Sequence, residues 1–254
     1  MENDRQDKAQ AFYDDYWPKN VPDYKKTREH VFEIVPTRKY KKAFDGGCGT
    51  GVNSLALAEI AENVVAFDLS SASLKTAADL AAKLELKNIK FVQGSLLSIP
   101  QEDSSFDLVY SWGVIHHTVD PVKSFHELVR ILEPGGCLVL AVYLQTRLTF
   151  IHEITRKICL KMPRLIKSSF IKSLAVFIRS IEKVKKLNVV RDDNPYIESK
   201  IEDWFFVPEK HYFTIDAMEK LYGGNGLTFE LLCEKTGRFK STSNFIVRGI
   251  KNTN

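Results

Sequence analysis

The chain of 254 residues is 44% hydrophobic and 27% charged. That is enough apolar side chain for one large domain, or one domain carrying an insertion, and it excludes low-complexity, collagen-like and disordered chains. Its 36 Lys and Arg against 32 Asp and Glu leave a net charge of +4, too small a basic excess to imply a nucleic-acid partner by itself. Cys48, Cys137, Cys159 and Cys233 are far apart and form no CxxC pair. They offer neither a disulfide framework nor zinc-ligand spacing, so no metal and a reducing compartment are expected. The polar start MENDRQDKAQ is no signal peptide, and no apolar run approaches the roughly 18 to 20 residues of a membrane span. A soluble, cytoplasmic protein is the expectation.

In chain order, the first 35 residues predict two helices (AQAFYDDYWPKN and YKKTREHVFEIV) laid ahead of a sheet. Residues 41–143 then alternate strands and helices. KKAFDGG, NVVAFDL, IKFVQG, FDLVYSW and GCLVLAVY read as strands, and VNSLALAEIA, ASLKTAADLAAKLEL and VKSFHELVRIL as helices. The strands are almost continuously apolar, as when helices cover both faces of a parallel sheet. The pattern predicts an α/β, Rossmann-like doubly wound fold, with its ligand beyond the carboxyl ends of the strands. Residues 147–187 break the rhythm with two helical stretches separated at Pro163, and 188–212 reads as an irregular, aromatic-rich connection. TIDAMEKLYGGNG predicts a helix with Thr214 as N-cap, and LTFELLCEKTGRFKSTSNFIVRGI a closing antiparallel strand pair.

The sharpest motif is AFDGGCGTGVNSLALAE, where a strand ends in Asp45 and Gly46, Gly47, Gly49 and Gly51 lead straight into a helix. Such glycines let a ligand approach the backbone closely. The spacing argues against a dinucleotide fingerprint, since Val52 stands where its third glycine belongs, and against a P-loop, since Val52 and Asn53 follow Gly51. Asp68 ends the next strand, the position from which a carboxylate grips ribose hydroxyls in nucleotide-type folds.

With SSFDLVYSWGVIHHTVDP and ELVRILEPGGCLVLAVY in order behind it, this motif resembles that of the class I S-adenosylmethionine-dependent methyltransferases, in their type 11 group. The resemblance covers residues 40–145 strongly and 203–250 weakly. It implies a seven-stranded sheet with its last strand antiparallel, and S-adenosylmethionine as cofactor, leaving as S-adenosylhomocysteine. It implies that Gly46, Gly47, Gly49 and Gly51 pack against the methionine part and that Asp45 orients its amino group. Asp68 would hold the ribose, with Leu69 near the adenine. Ser95 stands where the family often has an acid for the adenine amine, so that contact passes to Ser95, Leu96 and the backbone. Ser111 and Trp112 complete the cofactor set, with Tyr13 and Tyr16 from an aromatic helix folded over it.

Methyl transfer is an in-line displacement that needs a base only where the acceptor is protonated when bound. His116 and His117, just past the fourth strand, are the catalytic candidates, because an unperturbed imidazole titrates near neutrality; His116 is preferred, and the plainer reading is that one or both cap the following helix or pack structurally. Trp204, Phe205, His211 and Tyr212 are candidates for the acceptor pocket, with simple core packing as the plainer reading.

Residues 147–186 carry eleven Lys or Arg against Glu153 and Glu182, a local +9 that leaves −5 for the rest. Phe170, Leu174, Phe177, Ile181 and Val184 form an apolar stripe, and Lys172, Arg179 and Lys186 recur on another face. The expectation is a single domain with a helical cap at 145–212, its basic side either solvated or attracting acidic substrates or lipid surfaces. A small-molecule methyltransferase is expected, with O-methylation favoured and a lipid-like or secondary metabolite as acceptor. An RNA or protein methyltransferase using the basic cap, and a non-catalytic cofactor-binding protein, are the alternatives. The absence of an RNA-binding module argues against nucleic acid; the oligomeric state is not legible.

Overall fold

The computed structural model describes residues 2–185, 197–235 and 244–253. Two helices, α1 (Glu2–Tyr16) and α2 (Tyr24–Ile34), precede the alternating unit. That unit runs β1 (Tyr40–Gly46), α3 (Val52–Leu57), β2 (Ala61–Asp68), α4 (Ser71–Lys83), β3 (Ile89–Gln93), β4 (Phe106–Trp112), α5 (Pro121–Ile131) and β5 (Leu132–Tyr143). Three helices follow, α6 (Thr149–Cys159), α7 (Arg164–Lys185) and α8 (Ile197–Phe205), before α9 (Ile215–Gly224), β6 (Glu230–Lys235) and β7 (Asn244–Ile250). The strands form one seven-stranded sheet in the order β3-β2-β1-β4-β5-β7-β6. β1 to β5 pair in parallel, and β7 runs antiparallel to β5 and β6. The order reverses between β1 and β4, so a crevice opens there at the carboxyl edge.

Both sheet faces are covered. In β5, Leu138, Leu140 and Val142 join a core layer with Phe44, Phe67 and Phe125, while Cys137, Val139 and Ala141 join the opposite layer with Val31, Tyr40 and Tyr110. A period of two thus feeds two cores, which is why the strand reads as continuously apolar. Helix starts are fixed by side-chain caps. Asp23, Ser70, Asp120 and Thr214 each accept a hydrogen bond from the backbone N–H three residues on.

Several boundaries differ from the sequence reading. The helix expected over 52–61 stops at Leu57, because Ala61 already pairs with Tyr40 in the sheet. β5 starts at Leu132, paired with Phe106, and a register shift separates that pair from the rest. Within 188–212, residues 188–196 lie outside the described ones, while Ile197–Phe205 forms a helix. Ile197 and Ile201, one turn apart, bury it against Ile171, Ala175 and Phe206. The stripe expected on α7 is rotated. Ile171 and Ala175 form its buried centre, Phe170, Leu174 and Ile178 its margin, and Phe177 is 60% exposed. The side chains of Ile181 and Val184, the whole of Lys186 and the side chain of Cys233 lie outside the described set. Cys48, Cys137 and Cys159 are free and buried. Among the described residues no helix is long and apolar enough to cross a membrane, and no cluster of His, Cys, Asp and Glu could hold a metal.

Candidate active site

The loop leaving β1 is pinned by its neighbour strand, since the amides of Gly47 and Cys48 both donate to the Phe67 carbonyl, at 2.7 and 3.0 Å. Gly47 has φ +78°, and a β-carbon there would stand 2.3 Å from Val114. Both the backbone angle and the space demand glycine. The Trp17 indole closes over Gly49, 3.3 Å from where its β-carbon would be. Asp68 is tied to the same loop, one oxygen accepting from the Gly49 amide and the other from the Ser70 amide, each at 2.8 Å. Each oxygen keeps acceptor capacity for a hydroxyl. Burial raises the Asp68 pKa, opposed by those amide bonds.

Asp45 lies beneath the loop. Its Oδ2 accepts from the Ser54 hydroxyl at 2.5 Å, while its Oδ1 is buried without a partner. Burial pushes its pKa up to about 7. A buried carboxylate with one unsatisfied oxygen is where a cation would gain most.

A cavity of about 440 Å³ opens from this loop along the carboxyl edge. Gly47, Asp68, Leu69, Ser95 and Leu96 line one end, Tyr13, Tyr16 and Trp17 of the N-terminal segment border it, and Trp112, His116 and His117 line it past β4. The other residues expected at the cofactor stand just behind the wall. Ser111 donates to the Gly46 carbonyl at 2.7 Å, coupling β4 to β1, and Gly51 precedes α3 as its N-cap. The residues expected at the acceptor do not line the cavity. Trp204 and Phe205 pack on the core formed by α7 and α8, with Phe205 also against His152. Tyr212 donates to Glu153 and lies 2.8 Å from His152 Nδ1, and the His211 amide donates to the His116 carbonyl. α8 turns its apolar side to α7, so the aromatic run at 204–206 is drawn away from the opening.

Tyr143, Asp203 and Lys200 line the cavity instead. Tyr143 ends β5 at the carboxyl edge, a position the strand pattern alone could have flagged. Asp203 carries no sequence signal of its own; it reaches the cavity because α8 packs through Ile197 and Ile201. The Tyr143 hydroxyl donates to Asp203 Oδ2 at 2.6 Å, and the buried Lys210 ammonium lies 4.3 Å over the Tyr143 ring. Burial lowers the Lys210 pKa to about 8.

The two histidines differ in their partners. His117 Nδ1 lies 2.8 Å from the Glu209 carbonyl oxygen, an acceptor only, so Nδ1 carries the proton and Nε2 the lone pair. That Nε2 sits 3.7 Å from Asp203 Oδ1. The His116 ring packs 4.1 Å from Tyr143, and its Nδ1 is buried without a partner. The sequence expectation that these imidazoles titrate near neutrality is corrected: burial lowers His117 to about 4 and holds His116 well below its ordinary value. Both are neutral at pH 7.

Residues 44–140 match a family model described as a methyltransferase domain. The demethylmenaquinone methyltransferase of Staphylococcus epidermidis is 33% identical over 119 residues, 46% of this chain and 48% of that protein. The protein of the same name from Paenarthrobacter aurescens is 30% identical over 148 residues, 55% and 56% of the two chains. The chain thus spans about half the length of these relatives. Among solved structures, phosphoethanolamine N-methyltransferase 1 of Haemonchus contortus, in complex with phosphoethanolamine and S-adenosylhomocysteine, covers this whole chain with half of its own. It superposes with a TM-score of 0.61 at 14% identity, a likeness of fold alone.

Residues 44–140 are a methyltransferase domain.

The methyltransferase domain's matched segment carries the glycine loop, Asp68, Ser95, His116 and His117. Tyr13, Tyr16, Tyr143, Lys200 and Asp203 lie outside it. The cavity is therefore walled on one side by the matched domain and on the other by segments outside it.

Proposed function

We propose that the chain transfers the methyl group of S-adenosylmethionine to a small molecule that presents a hydroxyl group, with His117 taking the hydroxyl proton. The residues present fit the cofactor. Gly47, with no room for a β-carbon beside Val114, brings bare backbone to the cavity wall, Asp68 has acceptor capacity for ribose hydroxyls, and the unpaired Asp45 oxygen suits the methionine ammonium. Bound there, S-adenosylmethionine supplies an electrophilic methyl on sulfur. Tyr13, Tyr16 and Trp17 exclude water, and alignment of the acceptor supplies on the order of 7–11 kcal/mol.

The observation that carries the reading is the arrangement of His117, Asp203 and Tyr143 at the cavity wall. His117 Nε2 offers a lone pair to an acceptor hydroxyl, and the imidazolium that forms faces the Asp203 carboxylate 3.7 Å away. Tyr143 orients that carboxylate through its hydrogen bond. His117 is favoured over His116 because a fixed tautomer aims its free nitrogen at a counter-charge. Removing the proton from an aromatic hydroxyl also raises the electron density of the adjacent ring carbon. Transfer to carbon is therefore a second reading, favoured by relatives named for demethylmenaquinone. Incubation with methyl-labelled S-adenosylmethionine and a panel of hydroxylated aromatics tests the proposal. Label on oxygen or ring carbon, assigned by NMR, supports one reading or the other; turnover confined to amines, RNA or protein refutes both.

Asp45 gives the cofactor affinity a pH dependence. Its native pKa of about 7 lies above the ordinary carboxylate value. The native state therefore binds the extra proton, and apo stability falls as pH rises from about 4 through about 7. A bound ammonium favours the ionised form. Affinity for S-adenosylhomocysteine should rise with pH from about 5.5 to about 7, by up to about tenfold per unit. Calorimetric titration of the wild type and of Asp45→Asn, which should be weak and flat across this range, checks the expectation.

A further inference from the structure

Helix α6 is built inside out. Its buried side carries Thr149, His152, Arg156 and Cys159, each under 9% exposed. Arg156 donates to the Val207 carbonyl at 2.7 Å and pairs with Glu153, and His152 meets the Tyr212 hydroxyl. The polar side is thus the one that anchors the helix to the protein. The opposite side presents Phe150 at 73%, Ile151 at 58%, Ile154 at 44% and Ile158 at 59% exposure. At 3.6 residues per turn these four fall within roughly 100° of the helix circumference. Leu148 and Leu160 extend the exposed apolar surface at either end.

Along this segment the exposed charge has one sign. Lys157 borders it on the helix and Lys161 follows at the helix end, both exposed, as is Arg147 just before the helix. The only acid between residues 144 and 180 is Glu153, which is turned inward to Arg156 and Tyr212. Exposed large aliphatic and aromatic side chains fringed by lysines are the composition of a helix that lies in a membrane interface. The lysine stems can lie along the apolar boundary while their ammonium groups meet anionic headgroups. A symmetric pairing of two copies through this face would set the lysine fringe of each copy against that of the other, which disfavours a second copy as the occupant.

We infer that α6 docks the protein on anionic lipid bilayers, with Phe150, Ile154 and Ile158 entering the headgroup boundary and Lys157 and Lys161 meeting the lipid phosphates. The inference stands apart from the proposed chemistry, since none of these side chains lines the cavity. Its test is co-sedimentation with sucrose-loaded vesicles of phosphatidylcholine, with and without about 30% phosphatidylglycerol. The wild type should bind the anionic vesicles in preference to the neutral ones, and less at high salt. The triple variant Phe150→Ser, Ile154→Ser, Ile158→Ser should lose at least about tenfold in partitioning. Lys157→Glu with Lys161→Glu should remove the preference for anionic lipid. Unchanged S-adenosylhomocysteine affinity in both variants shows that they are folded. Failure of the wild type to bind either vesicle, or binding that survives the triple substitution, overturns the inference. So does a concentration-dependent dimer that the triple variant abolishes, which would make the occupant a second copy.

Discussion

His117→Ala should lower kcat by about 10²- to 10⁴-fold, the range for loss of a positioned base, while leaving S-adenosylhomocysteine affinity within about twofold of wild type. The split follows from the geometry. His117 faces Asp203 rather than the Asp68 end of the cavity. Asp203→Asn keeps the side chain's size and an oxygen for Tyr143 but removes the charge opposite His117 Nε2. It should cost about 10- to 100-fold in kcat, because the imidazolium then forms in a buried site without its counter-charge. Steady-state kinetics over pH separates this role from a structural one. With chemistry rate-limiting, a base of low native pKa remains active down to mildly acidic pH in the wild type, and the alanine variant loses that limb. His116→Ala should have the smaller effect on turnover. Equal losses in the two alanine variants would mean that the paired imidazoles act by packing.

Phe44→Ala should destabilise the fold by about 3–5 kcal/mol, the cost of emptying a fully buried aromatic site. Phe44 is completely buried, with ring centroids 5.4 Å from Phe67 and 5.2 Å from Phe106. Its ring lies 3.0 Å from where a β-carbon on Gly46 would stand, so it supports the glycine loop from below. Denaturant unfolding should report the loss as a lower midpoint at unchanged slope. Cofactor affinity should fall with it, because the loop's pinning to Phe67 depends on the same packing. Stability within about 1 kcal/mol of wild type would show that the site collapses around the gap.

The parallel sheet and the glycine loop were legible because their signals are local. Strand runs of the right length, separated by helical periods, leave few ways to arrange the chain, and Asp45, Gly47 and Asp68 lie at strand ends where the fold places ligands. Thr214 was legible as a cap for the same reason. The far wall of the cavity was not. Tyr143 and Asp203 meet across 60 residues of sequence, and their contact depends on how α8 packs, which the residues around Asp203 do not reveal. The aromatic run Trp204–Phe205–Phe206 is the stronger pattern there and masks the acid beside it. α6 shows a different limit. Periodicity identifies an apolar face but not its direction, and here buried bonds from Arg156 and His152 turn that face outward. On α7 the stripe read from sequence is displaced because Ala175, too small to stand out in a pattern of large residues, is fully buried in the core shared with α8. The histidines were placed by the strand pattern, but their neutrality follows from burial, which only the packed structure supplies.

The proposed function requires the cavity beside the glycine loop to hold the S-adenosyl group with Asp68 on its ribose. Isothermal titration of S-adenosylhomocysteine into the wild type and Asp68→Ala, near neutral pH, addresses it most directly. One-site binding by the wild type that weakens at least about 100-fold in the variant, equivalent to about 2.7 kcal/mol, with Tm little changed, is the expected result. No binding by the wild type, or equal affinities in the two proteins, would remove the cofactor from this cavity and with it the chemistry assigned to His117.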